Sequence, residues 1–283
     1  MKSEIYDSRR CILGEGPLWH PERDQLFWFD IIGKKLLTVE AGAAKEWQFD
    51  ECVSAAGWID RETLLVASET GLYRFDIASG QSSLVIELEA DNPATRSNDG
   101  RADPWGGFWI GTMGKVLEAN AGSIYRFING KVERLFSDIT IPNAICFSPD
   151  RQFAYFTDTL TRLIMRQKLD EEGWPIGEAD KFIDLRSQEL NPDGAVVDSE
   201  GYLWNAQWGA RRIARYTPQG RFDHAIEFPA LQVSCPAFGG NNHSTLFVTS
   251  AAEGLTSPSA EDGQSFVVET DFAGTPEYAV GVS

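Results

Sequence analysis

The sequence lacks the features that would place it in several common classes. Its four cysteines, Cys11, Cys52, Cys146 and Cys235, lie far apart and none forms a C-x-x-C pair. A disulfide framework in a small secreted chain would be denser, so reduced thiols in a cytoplasm are expected. No apolar run is long enough to span a bilayer, and Met1-Lys2-Ser3-Glu4 leads into polar sequence rather than a signal-peptide core. There is no run of five like charges and no Lys/Arg stripe; 25 basic against 42 acidic residues give a formal charge of −17. Such a surface repels phosphate backbones and anionic lipid, which argues against nucleic-acid or membrane partners and favours plain solubility. Histidines number three, His20, His224 and His243, all in polar, turn-like segments, and are read as surface or turn residues. No G-x-S-x-G nucleophile elbow occurs, so covalent serine chemistry has no support.

Long stripes of 3.6-residue period are also scarce. Short aromatic and β-branched runs, cut by Gly, Pro, Asp and Asn, predict an all-β protein. One pattern recurs: an apolar run, a polar turn, then a stronger apolar run. Leu18–Asp30 reads LWHPERDQLFWFD, Ile145–Asp158 ICFSPDRQFAYFTD, Ala195–Gln207 AVVDSEGYLWNAQ and Ala237–Ser250 AFGGNNHSTLFVTS. Gly57–Ser68 and Arg101–Thr112 are weaker copies. The second apolar runs align at Leu26, Leu65, Trp109, Ala154, Trp204 and Leu246, with spacings of 39, 44, 45, 50 and 42 residues. That interval suits a four-stranded propeller blade. Six such units predict a six-bladed β-propeller. No Pro/Gly/Ser linker divides the chain, so residues 1–283 are expected to form one domain. A β-sandwich is the alternative, but it requires no six aligned copies.

Eleven residues before each anchor lie Glu15, Ser54, Asn98, Asn143, Asp193 and Cys235. Equivalent points of a propeller share one height around the central channel. These six are expected just before the first strand of their units, at the channel mouth. Four carry oxygen donors: Glu15, Asn98, Asn143 and Asp193. Converging carboxylates repel unless a cation offsets them. Carboxylate and amide oxygens make a hard site suited to Ca²⁺, Mg²⁺ or Mn²⁺, while Zn²⁺ and Fe²⁺ stay compatible. Single Asx residues before strands also serve as turn formers; four at one phase of a repeat favour a site. Trp28, Trp109 and Trp204 are read as packing between blades.

On these residues the chain resembles the senescence marker protein/gluconolactonase/luciferin-regenerating enzyme family, which includes regucalcin and bacterial sugar lactonases. The matching segments are Leu13–Trp19 (LGEGPLW), Arg96–Met113 (RSNDGRADPWGGFWIGTM), Ile141–Asp158, Pro192–Trp204 (PDGAVVDSEGYLW) and Ala237–Gly240 (AFGG). The resemblance implies a six-bladed propeller that opens sugar-acid lactones with one divalent metal ion, Ca²⁺ being the leading expectation. It places metal ligands at Glu15, Asn143 and Asp193, and substrate contacts at Arg96, Asn98 and Asp99. Asp193 is favoured as the base that activates water, with Asp99 as the alternative. The chain departs from relatives in three places. Gly114-Lys115-Val116-Leu117 lacks the acidic residues that some carry there, Ala144 stands where Gly is frequent, and Leu255–Gln264 is short. Two other readings stay open: esterase or phosphotriesterase chemistry on the same scaffold, and a calcium-binding protein without catalysis.

Overall fold

The computed structural model describes residues 2–282. Their strands form six antiparallel sheets of four strands each, a six-bladed β-propeller. Each blade follows the repeat found in the sequence. The innermost strands are Gly14–His20, Val53–Asp60, Thr95–Ala102, Pro142–Phe147, Asn191–Val197 and Gln232–Gly239. Every second strand is almost wholly buried, as the strong apolar runs predicted; Gln25–Asp30 is buried at all six positions. Trp28, Trp109 and Trp204 are fully buried and belong to three different apolar clusters. Burying one such side chain contributes roughly 1.5–3 kcal/mol, so the wedges between blades supply much of the drive to fold. Among the described residues no helix is long and apolar enough to cross a membrane.

Two closures were not foreseen. The sixth blade takes its outermost strand from the start of the chain, Glu4–Asp7, which pairs with Ser265–Glu269. The ring is therefore fastened by strand pairing between its ends, which leaves that edge covered. The last segment then crosses the face opposite the mouth. Ser199 N donates to Ala273 O, Gly274 N to His243 O, Val280 N to Trp58 O and Gly281 N to Gly106 O. Val280 is buried among Ala102, Phe108 and Phe127.

The six ring residues do not precede the first strands, as the sequence suggested. They lie within the innermost strands, at or beside a β-bulge that recurs in every blade. Glu15 pairs with Phe29 and Leu18 with Phe27, so the inner strand carries one extra residue there. The same slip occurs between Val53 and Ala55, Ser97 and Gly100, Asn143 and Cys146, Pro192 and Ala195, and Val233 and Pro236. A bulge breaks strict side-chain alternation and re-aims a side chain. The polar cluster PDG or GEGP reads as a turn because it carries turn chemistry; here that chemistry bends a strand instead.

His20 is a second correction. It is fully buried at the end of the first inner strand, its Nε2 lying 3.1 Å from Asp60 O and its ring 5.6 Å from that of Trp58. Burial lowers its pKa. The apolar wedge absorbs the ring; the Asp60 carbonyl meets Nε2, while Nδ1 has no partner among the described residues. His224 sits on an outer strand stacked on Phe272, and His243 lies in a turn.

Candidate functional site

The bulge conformations begin to explain how the site is built. Gly16 and Ala144, which follow Glu15 and Asn143, both adopt left-handed backbone, with φ of 53° and 57°. Gly is the natural residue there; Ala at φ > 0 costs about 1–2 kcal/mol. This accounts for the Gly preference at position 144 that the sequence comparison noted. A Cβ at Gly16 would also stand 2.2 Å from Ser54 O, so the first two inner strands approach closely through that glycine.

The loops leading into the inner strands of Glu15 and Asn143 are pinned by carboxylates. Asp30 accepts from Ile12 N at 2.9 Å and Leu13 N at 3.0 Å, just ahead of Glu15. Asp158 accepts from Thr140 N at 2.9 Å and Ile141 N at 3.1 Å, just ahead of Asn143. Sequence reasoning passed over both residues. The signal was present, since two copies of the repeat close on Asp (LFWFD and AYFTD).

All six candidate residues are buried. Three of them form a directed chain. One terminal nitrogen of Arg96 donates to Asn98 Oδ1 at 2.8 Å, and Asn98 Nδ2 donates to Asn143 Oδ1 at 3.0 Å. Asn143 Nδ2 donates to Thr159 Oγ1 at 2.9 Å, and Thr159 Oγ1 to Pro192 O at 2.8 Å. The chain runs from the third blade to the fifth and ends beside Asp193. It fixes each amide's orientation, because an oxygen must face a donor. Asn143 therefore keeps its oxygen on the side of Asn98, with a second lone pair to offer. Thr159 is another contributor the sequence reading missed.

The other three candidates are acidic and share one electrostatic field. Burial pushes Glu15 up to about 8, and Asp99 adds to the shift. Burial raises Asp193 well above the usual carboxylate range, with Glu15 and Asp99 as further causes. Burial also raises Asp99 to about 6, although Ile145 N donates to its Oδ2 at 2.7 Å. Three buried carboxyl groups thus converge from blades one, three and five. Among the described residues no side chain donates a hydrogen bond to the carboxylate of Asp193 or Glu15.

Among the described residues, no group of three or more His, Cys, Asp and Glu side chains is arranged to hold a metal ion. The candidate set is different in kind: two carboxylates and an amide oxygen. Its chemistry fits a hard divalent cation, since repelling buried carboxylates with unused lone pairs are what such an ion offsets.

The remaining residues divide clearly. Cys235 and Ser54 complete the ring without oxygen ligands for a metal; Ser54 Oγ donates to Ser97 Oγ at 2.8 Å. Trp19 stacks on Phe247 at 5.3 Å in a packed cluster, away from the mouth. In the altered segment Lys115 pairs with Glu69, while Val116 and Leu117 are exposed. The segment 114–117 carries no acidic side chain.

The fold and the candidate site define a six-bladed propeller that carries buried acids and amides on its inner strands. The comparisons define it further. The SMP-30/Gluconolactonase/LRE-like region matches residues 13–252, and the chain belongs to this family. L-arabinolactonase of Azospirillum brasilense is 36% identical over 276 residues, covering 94% of this chain and 91% of its own. The 6-deoxy-6-sulfogluconolactonase of Pseudomonas putida is 34% identical over 259 residues, covering 89% and 87%. The crystal structure of a calcium-binding protein, regucalcin, from Agrobacterium tumefaciens superposes with a TM-score of 0.96 at 40% identity, covering 99% of this chain and 97% of that one.

Proposed function

We propose that this chain hydrolyses a sugar-acid lactone to the open hydroxy acid, using one divalent cation held by Glu15, Asn143 and Asp193. The carrying observation is the convergence of the buried Glu15 and Asp193 carboxyl groups with an orientation-locked Asn143. The lactonase relatives support the substrate class. The calcium-binding relative supports an ion, with Ca²⁺ as the leading candidate and Mg²⁺, Mn²⁺, Zn²⁺ and Fe²⁺ as alternatives.

A divalent cation at these oxygens would polarise the lactone carbonyl, stabilise its developing negative charge and acidify a water molecule. The chain's own residues supply the rest. Asp193, with no hydrogen bond from another side chain, accepts the proton of the attacking water at a carboxylate oxygen; Asp99 is the alternative acceptor. Water adds to the carbonyl carbon, the ring C–O bond breaks, and the proton passes to the departing ring oxygen. Arg96 has one nitrogen committed to Ser97 O and Asn98 Oδ1, at 2.9 and 2.8 Å. Its remaining N–H groups are available to sugar oxygens, for which a planar fork is suited. Asn98 and Asp99 complete the sugar contacts. We read residues 1–283 as one domain acting on a small molecule in the cytoplasm, without nucleic-acid or membrane partners.

A pH-stat panel of aldonolactones, run with chelator and then with added metals, tests the proposal. Metal-dependent acid release above spontaneous hydrolysis is expected, and should vanish in Asp193→Asn. Turnover insensitive to both overturns it. The calcium-binding relative motivates a second reading, ion binding without catalysis; that reading predicts ion binding with no lactone opened.

A further inference from the structure

On the tail side of the acidic cluster lies a partly buried ion pair that the proposed reaction does not use. Arg101 follows Asp99 by two residues on the same inner strand. Its guanidinium pairs with Glu277, which the C-terminal segment carries across the face opposite the mouth. A second nitrogen approaches Ala195 O at 3.4 Å, two residues past Asp193 on the fifth blade. Burial works against this charge, but the fields of Glu277, Cys235, Asp99 and Cys146 outweigh it and raise its pKa. Those groups come from the tail and from three inner strands. The carrier of Glu277 is well anchored: Trp58 Nε1 donates to Glu277 O at 2.9 Å. A cavity of about 20 Å³ adjoins the pair, lined by Arg101, Cys146, Val196, Pro276, Glu277 and Tyr278. It is large enough for about one water molecule.

We infer that Glu277 is a positioning residue for the ion site: it holds and neutralises Arg101, two residues past Asp99 on the third inner strand and on the tail side of Glu15, Asn143 and Asp193. The inference rests on the proposed metal site. The physical reason is charge. Arg101 and Glu277 together are neutral, and a cation above them is undisturbed. Without Glu277, a partly buried guanidinium remains uncompensated on the tail side of the acids. It would repel a divalent ion and draw Asp99 toward itself.

The test is calorimetric titration of chelator-stripped protein with Ca²⁺ and with Mn²⁺, after circular dichroism has shown each variant folded. Glu277→Gln should weaken ion binding about tenfold or more. Arg101→Met should not weaken it, because it leaves the opposite charge. The double variant E277Q/R101M, again neutral, should return to within about threefold of the wild type. Equal weakening in both single variants, or no recovery in the double, overturns the inference in favour of packing alone. If Glu277→Gln does not fold, the double variant decides: a loss beyond about tenfold there refutes the charge argument. A wild-type protein that binds no divalent ion would instead sink the metal site itself.

Discussion

The three buried carboxyl groups make the stability of the metal-free protein depend on pH in an unusual direction. A carboxyl whose pKa is raised by folding favours the folded state when protonated. Stability is therefore full below the unfolded pKa, near 4, and is lost as pH rises through the folded value. Asp99 rises from 3.8 to about 6 and Glu15 from 4.5 to about 8. At about 1.4 kcal/mol per pKa unit, Asp99 contributes about 3 kcal/mol and Glu15 on the order of 5. Ionising one group hinders the next, so the cluster as a whole loses on the order of 5 kcal/mol between pH 5 and 8. That is a large share of a typical domain's stability. Of the other shifted groups, only His20 acts inside this window. Asp180 and Asp184 are lowered by Arg166 and Arg186, so they matter only below the window. Cys11 and Cys52, pushed up to about 12 and 11, matter only above it. His20, lowered by burial, works in the opposite sense below its ordinary pKa of 6.5. The assay is urea unfolding of chelator-treated protein at pH 5, 6, 7 and 8, repeated with saturating Ca²⁺. Stability should fall with pH without the ion and stay level with it. Glu15→Gln should be more stable than the wild type at pH 8 without metal, by about 2–4 kcal/mol. A flat or rising profile in metal-free wild type would refute the reasoning.

Other outcomes follow from single contacts. Gly16→Ala forces a Cβ against Ser54 O at 2.2 Å in left-handed backbone; it should cost about 2–4 kcal/mol in unfolding and weaken metal binding by displacing Glu15. Asp30→Ala removes the acceptor of three backbone N–H groups, those of Ile12, Leu13 and Gly33; about 2–3 kcal/mol lower stability in urea melts is expected, with Ca²⁺ affinity falling in parallel. Arg96→Ala should raise KM for lactones about tenfold or more while calorimetry still shows ion binding; an unchanged KM would remove Arg96 from the substrate contacts.

Much of this architecture was readable because a propeller repeats. Six copies at 39–50-residue spacing fixed both blade count and the phase at which Glu15, Asn98, Asn143 and Asp193 fall. The bulge was not readable. GEGP and PDG carry the same Gly, Pro and Asp signals whether they make a turn or bend a strand, and only the partner strand decides. Tertiary partners also hid His20, whose polar neighbours suggested a surface but whose ring fills an apolar wedge. The pairing of Glu4–Asp7 with the last blade, and of Glu277 with Arg101 across 176 residues, leave no local periodic mark. The amide chain through Thr159 is likewise a matter of geometry. Its members could be named, but not the direction in which each donates.

The central claim is that one divalent ion sits among oxygens from the first, fourth and fifth blades. Anomalous diffraction from crystals grown with Mn²⁺ tests it most directly. The account predicts a single strong peak in the axial channel, with Glu15, Asn143 and Asp193 oxygens at about 2.0–2.5 Å. A peak bound elsewhere, or none at an ion concentration that supports lactone turnover, would contradict it.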